Sequence, residues 1–509
     1  MYLTQGLHRG LQQTPEREMM VCGGRSRSFR EVADRVARLA RGLIDLGVRA
    51  GDRVAMLALN SDRYHEYLFA VPWADAVLVP LNTRWSVAEI GYALNDSGTT
   101  VLFLDEAHAH LSSALCELCP QLSTVVYCGD GSSPENAVDY EDIVAGAPAA
   151  RDVRRGGDQL AGIFYTGGTT GDPKGVMLSH AAMATSWLGA IASGHVFAAG
   201  QRTRALHAAP MFHLAGLAAW GAATLLGGTH VIEPRFDPVA VFAAVESQRV
   251  TDLALVPTMI QAMVDHPDLS DYDLSSVRAA LYGASPISQT LLERAAAALP
   301  QAAFTQAYGM TELAPIATLL GPEEHTMAHL RSSAGRPAPN CEVRIVDETG
   351  AEAPRGMVGE IVVRGGNVML GYWNKPAETA AALRDGWLHT GDGGYLDADG
   401  YLFVVDRIKD MIVTGGENVY SVEVENAVAR HPAVAGCAVI GIPDARWGER
   451  VHAVVVLRPG AHATEAQIRD HVKGSIAGYK APGSVEFVDA LPVSGAGKVL
   501  KRELRQRYR

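Results

Sequence analysis

Helix-like and strand-like stretches alternate along the first half of this chain, and that alternation admits few folds. In SFREVADRVARLARGLIDLG, Ser28 and Glu31 fit a capping box, and Val32, Val36, Leu39, Leu43 and Leu46 fall on one helical face. Gly47 supplies the C-terminal stop. RVAMLAL then reads as a buried strand, and VLVPL, TVLFLD and STVVYC follow in the same style. Short apolar strands separated by helices indicate an α/β architecture with largely parallel sheets. Around Val343 the texture shifts. CEVRIVD, GEIVVRG and YLFVVD alternate and are split by Gly and Asp turns, which predicts a small β-rich lobe. Beyond Asp410, helix patterns at SVEVENAVARH and EAQIRDHVKGSIA mix with strand patterns at AVIGI, HAVVVL and SVEFV. A chain of 509 residues is too long for one core. The expected organisation is a large α/β domain over residues 1–406, a linker at 407–410 and a small α+β domain over 411–509.

One segment stands out chemically. After the strand-like LAGIFY comes YTGGTTGDPKG, Tyr165 to Gly175. Gly167, Gly168, Gly171 and Gly175 let backbone N–H groups turn toward one concavity, and such a nest attracts anions. Thr166, Thr169 and Thr170 add neutral donors, and Lys174 adds a full charge. A phosphate chain suits this lining. The loop is not the G-x-x-x-x-G-K-[ST] type, because Lys174 stands between Pro173 and Gly175.

Composition removes several alternatives. Hydrophobic residues at 48% and charged residues at 20% are ordinary for globular domains. A net charge of −12 argues against nucleic acid as a partner, since binding it needs a basic face. MYLTQGLHRGLQQ lacks the basic start and apolar core of a secretory leader, so a cytoplasmic location with reduced thiols is expected. The apolar run Ala208 to Gly228 contains Pro210, His213 and several glycines, and so reads as a buried helix with its flanks rather than a membrane span. Peripheral membrane association stays open, as does the choice between monomer and homodimer. Cys116 and Cys119 form a C-x-x-C near His108 and His110, but no second ligand pair follows at zinc spacing. They read as residues of an amphipathic helix.

Four further clusters carry polar groups of the kind a nucleotide needs. QAYGMTE follows a strand at AAFTQ and offers Tyr308, Thr311 and Glu312. A carboxylate beside a phosphate loop repels it unless a cation intervenes, so Glu312 suggests Mg²⁺, although taken alone it reads as a solvated loop residue. In HTGDGGYLDADGYL, Asp392 is expected in a turn between strands, where a carboxylate can accept both ribose hydroxyls. DRIKD supplies Arg407, and GAGKVLKREL places Lys498 after a flexible loop.

YTGGTTGDPKG, PMFH, GASP, QAYGMTE, TGD, DRIKDMIVTGGENVY and GAGKVLKREL together resemble, in this order, the adenylate-forming superfamily of acyl-CoA synthetases, luciferases and peptide-synthetase adenylation domains. The resemblance spans nearly the whole chain. It implies that Thr166, Gly167, Gly168, Thr169, Thr170, Gly171 and Lys174 hold the triphosphate of ATP. Gly283, Ala284 and Ser285 would bind adenine together with Gln306, Ala307, Tyr308 and Gly309. Thr311 would touch the α-phosphate, Glu312 and Thr170 would hold Mg²⁺, and Asp392 and Arg407 would grip the ribose. Lys498 resembles the lysine of the adenylation step, Lys409 occupies the hinge position of a mobile C-terminal domain, and Gly415, Gly416 and Trp447 would line the path of coenzyme A. Two departures are visible: Gly167 stands where the family has serine, and SGA precedes Gly497 where N-P-T is common. The first removes one hydroxyl donor.

The implied reaction joins a carboxylate to the α-phosphate of ATP with loss of pyrophosphate, then transfers the acyl group from AMP to coenzyme A. Within the superfamily, an acyl-CoA synthetase fits best. No aspartate stands in MFHL to bind a substrate amine, no carrier domain follows Arg509, and no insertion of the fatty acyl-AMP ligase type is evident. A carrier-protein thiol as acceptor is the lesser alternative. A non-catalytic ATP- or acyl-CoA-binding sensor would be expected to lack Lys498 or Glu312, and both are present. The acyl pocket is expected at His213, Leu217, Trp220 and Gly283. His213 and Trp220 are seven residues apart and so share a helical face, with Trp220 in either the pocket wall or the core. These positions favour an apolar monocarboxylate: a medium- or long-chain fatty acid first, an aryl or polycyclic acid second.

Overall fold

Ser28 caps a helix over Phe29–Asp45. Its Oγ accepts from the Glu31 N–H, while the Glu31 carboxylate takes the Ser28 N–H at 2.7 Å. Val32, Val36, Leu39 and Leu43 are buried on one face of this helix. The computed structural model describes residues 1–166, 173–197, 200–285, 287–407, 410–415, 417–444, 446–493 and 499–508.

The alternation of helices and strands builds two large mixed sheets. In an eight-stranded sheet, the strands Arg53–Leu57, Val77–Pro80, Val101–Leu104, Thr124–Tyr127 and Leu160–Thr166 run parallel. Lys174–Ser179 returns antiparallel to Leu160–Thr166, and the short strand Gly371–Tyr372 closes that edge. A nine-stranded sheet aligns Glu18–Cys22, Thr229–Ile232, Arg204–His207, Asp252–Leu255, Ala279–Gly283 and Ala303–Gly309 in parallel. Ile316–Leu320 turns back antiparallel beside Ala303–Gly309.

The shift of texture near Val343 corresponds to an antiparallel sheet of Cys341–Val346, Gly359–Gly365, Trp387–Leu396 and Leu402–Arg407. The last stretch of the chain forms its own sheet around the long hairpin Val434–Asp444 and Gly448–Leu457, covered by the helices Ser421–Ala429 and Glu465–Lys473. The fold class is therefore α/β with an added β lobe and an α+β C-terminal unit.

The apolar run after PMFH forms the helix Leu214–Leu226, buried along most of its length. It packs closely on the helix His180–Ala192, because a Cβ on Gly221 would collide with the Trp187 ring. No helix among the described residues is long and apolar enough to cross a membrane. Cys119 is buried and Cys116 exposed, and no metal-holding group of His, Cys, Asp or Glu occurs among the described residues.

Candidate active site

Strand ends of the two large sheets carry the first of the candidate residues. Thr166 and Lys174 face each other across the hairpin that encloses the glycine-rich loop. Gly167, Gly168, Thr169, Thr170 and Gly171 lie outside the described residues, as do Lys409, Gly416 and Lys498. In the nine-stranded sheet, Gly283 is the register partner of Ala307 at the carboxyl ends of two parallel strands. Ligands in open α/β sheets bind in the crevice beyond such ends. There the chain turns through Ala284, which adopts a left-handed conformation with φ of 66° and is exposed, next to the half-buried Ser285.

Two expectations about local structure need correction. The strand expected at AAFTQ runs further, over Ala303–Gly309, and takes in Ala307, Tyr308 and Gly309 as well as Gln306. Asp392 is not in a turn. It lies within the ten-residue strand Trp387–Leu396, where cross-strand pairing overrides the turn signal of its flanking glycines. Its register partner is Arg407, and the Arg407 Nε stands 3.2 Å from Asp392 Oδ1. The hydroxyl of the half-buried Tyr308 donates to Asp392 Oδ2 at 2.8 Å. Burial, then the Asp392 carboxylate, holds the Tyr308 phenol far above its ordinary range, so it stays a donor. An aromatic ring, a carboxylate and a guanidinium thus meet where a nucleoside is expected.

Glu312 is no solvated loop residue either. It sits in a 3₁₀ turn, Thr311–Leu313, with 7% of its surface exposed. Burial pushes its carboxyl upward, against the Tyr372 hydroxyl and the Arg407 and Lys174 charges. Tyr372 donates to Glu312 Oε1 at 2.8 Å, and the Lys174 ammonium stands 5.0 Å from the centre of the Tyr372 ring. Tyr372 escaped sequence reasoning. It is 60 positions from its partner, and only the GYWN turn-like texture marks its segment.

The helix Leu214–Leu226 begins at His213, which is its N-cap residue and packs against Phe212. Leu217 and Trp220 are buried in the hydrophobic core. Trp220 is fully buried among Phe69, Trp187 and His230, and its indole N–H donates to His65 Nδ1 at 2.9 Å. The opposite face of the helix, Ala218, Ala219 and Ala222, borders a narrow void of about 10 Å³ with Trp187, Phe197 and Leu281. The run of small residues was the available signal for this face. In the C-terminal unit, the Gly415 N–H bonds the Trp447 carbonyl at 2.8 Å, and the Trp447 side chain is 48% exposed.

Residues 7–373 match the AMP-binding enzyme family, and residues 423–498 match the AMP-binding enzyme C-terminal domain. The chain is 43% identical over 490 residues to a feruloyl-CoA synthase from an Amycolatopsis species, covering 96% of this chain and 95% of that protein. It is 37% identical over 507 residues to a fatty acid–[acyl-carrier-protein] ligase of Streptomyces coeruleorubidus, covering 98% and 94%. The crystal structure of ATP-bound MatB from Rhodopseudomonas palustris superposes with a TM-score of 0.90 at 32% identity, covering 100% of this chain and 99% of that one. The chain belongs to the AMP-binding enzyme family of adenylate-forming proteins. Within it, the chain is an ATP-dependent enzyme of the acid–thiol ligase class, an acyl- or aryl-CoA ligase.

Proposed function

We propose that this enzyme activates an aromatic monocarboxylic acid as its acyl-adenylate and passes the acyl group to coenzyme A. The observation that carries the adenylation part is the convergence of Tyr308, Asp392 and Arg407 on one side and Lys174, Tyr372 and Glu312 on the other. The first group suits a nucleoside, since a ring can stack on Tyr308 while Asp392 accepts from ribose hydroxyls. The second suits phosphates.

The acid's carboxylate oxygen bonds to the α-phosphorus, the bond to the bridging oxygen breaks, and pyrophosphate leaves with the electron pair. Lys174, and Lys498 from the C-terminal unit, neutralise charge on the phosphate oxygens, and the remainder is alignment. Glu312 fits a magnesium ion, being a hard oxygen donor buried beside the phosphate lysine, and Thr170 supplies a hydroxyl on the loop. When bound, the ion would offset charge on the phosphates. In the second half-reaction the coenzyme A thiolate attacks the acyl carbonyl and AMP departs. Residues 407–410 act as the hinge between residues 1–406 and 411–509, with Lys409 as the pivot. Rotation there withdraws Lys498 and brings Gly415, Gly416 and Trp447 to the thiol's path.

An aromatic acid replaces the fatty acid as first choice. The similarity to a feruloyl-CoA synthase supports this order. A fatty acid is the second reading, supported by the similarity to the fatty acid ligase. Pyrophosphate release measured across hydroxycinnamic-type acids, benzoic acids and C8–C16 fatty acids separates them. A kcat/KM for the best fatty acid at or above that of every aryl acid would overturn the aromatic assignment.

A further inference from the structure

Residues 367–374 form a strap that ties three parts of the site together. The Asn367 amide donates to the Leu313 and Ile316 carbonyls at 2.7 and 2.8 Å, just past the Thr311–Leu313 turn. The Met369 N–H bonds the carbonyl of Glu312 itself at 2.9 Å. From there the strap joins the strand that leaves the glycine-rich loop. The Leu370 N–H bonds the Met177 carbonyl at 2.9 Å, and the Trp373 N–H bonds the Gly175 carbonyl at 2.7 Å. At its far end the Trp373 indole N–H reaches the Asp96 carbonyl at 2.9 Å.

Tyr372 occupies the point where the strap passes between these parts. Its hydroxyl donates to Glu312 Oε1, and its ring face meets the Lys174 ammonium. One side chain therefore contacts both the carboxylate and the lysine assigned to the metal and the phosphates. Backbone bonds on either side of it fix where its ring can stand, so the phenol holds its direction without help from the ligand.

We propose that Tyr372 is a positioning residue for the metal–nucleotide complex. It fixes one oxygen of Glu312 so that the other is presented to the ion, and it keeps Lys174 beside that carboxylate until the triphosphate arrives. This inference rests on the reading of Glu312 as the magnesium ligand. Groups hydrogen-bonded to a metal ligand orient it, and their loss typically costs about 10–100-fold in metal affinity or activity. The phenol ring contributes separately through its attraction for the ammonium.

Tyr372→Phe tests the hydroxyl alone, since the ring and the strap's backbone bonds remain. Mn²⁺ binding, followed by electron paramagnetic resonance in the presence of a non-hydrolysable ATP analogue, is the direct readout. The expected result is metal affinity about 10–100-fold weaker, with adenylation reduced far more than transfer from supplied acyl-adenylate to coenzyme A. Glu312→Gln serves as the reference and should weaken Mn²⁺ binding at least as much. Wild-type Mn²⁺ affinity in Tyr372→Phe, with Glu312→Gln impaired, overturns the positioning role and leaves the metal reading standing. Wild-type affinity in both variants overturns both. Equal loss of adenylation and acyl transfer in Tyr372→Phe marks a general structural role and also overturns the proposal.

Discussion

Asp392 and Arg407 stand opposite each other on adjacent antiparallel strands, and their side chains meet with Nε 3.2 Å from Oδ1. The pair belongs to the antiparallel β lobe, and Arg407 is the first residue of the proposed hinge at 407–410. The proposed ribose contact therefore adjoins the proposed hinge.

Arg407→Lys keeps the charge and removes the planar fork. Loss of a charge-assisted hydrogen bond is worth about 1.5–3 kcal/mol, so ATP affinity should fall roughly 10–100-fold. Calorimetric titration with ATP checks this, and an affinity within twofold of wild type would exclude a nucleotide contact for Arg407.

Trp220 and Ala222 lie on different faces of one helix and should fail differently. Trp220→Ala opens a cavity in the core and should cost about 3–5 kcal/mol of stability, with the ratios of kcat/KM among acids unchanged. Ala222→Leu overfills the small void beside Trp187 and should cost about 1–3 kcal/mol, again with those ratios unchanged. Urea unfolding and a panel of acids measure both. A changed acid profile in Trp220→Ala would return that residue to the pocket wall.

Acid should weaken this fold through three buried histidines. His207 and His230 share a hydrogen bond of 2.9 Å, and the His65 ring lies 4.7 Å from that of His230. Burial lowers His65 to about 3 and His207 to about 4, and, with help from its two neighbours, holds His230 well below its ordinary value. The folded state keeps these rings neutral, whereas the unfolded chain protonates near pH 6.5. Stability is therefore fully present above pH 6.5 and declines as pH falls toward 4. The loss steepens with each proton that the unfolded chain takes up and the folded chain refuses. Chemical unfolding at pH 7, 6 and 5 tests the sign, and constant stability across that range would contradict it.

Lys498→Ala should abolish pyrophosphate release while leaving conversion of supplied acyl-adenylate and coenzyme A to thioester near the wild-type rate. Separate assays of the half-reactions decide the point. Equal loss in both would argue against a lysine that serves adenylation alone.

Much of this protein was legible in its sequence because the signals were local. The capping box of Ser28 and Glu31 operates within four residues. The short apolar strands, and the glycines and threonines before Lys174, likewise act through neighbours in the chain. The order of the motifs identified the family, and the match over residues 7–373 and 423–498 bears that out.

Burial and pairing were decided elsewhere. Asp392 entered a strand because Arg407, 15 positions on, pairs with it. Glu312 left solvent because a strap 60 residues later covers it with Tyr372. The helix Leu214–Leu226 is apolar all round, so no periodicity announces which face borders the void and which the core. Its neighbours make that choice: Trp187 packs against Gly221, and His65 takes the Trp220 indole proton. Local patterns set which elements form, whereas a side chain's solvent exposure and hydrogen-bond partners depend on contacts between residues far apart in the chain, which exist only once the elements have packed.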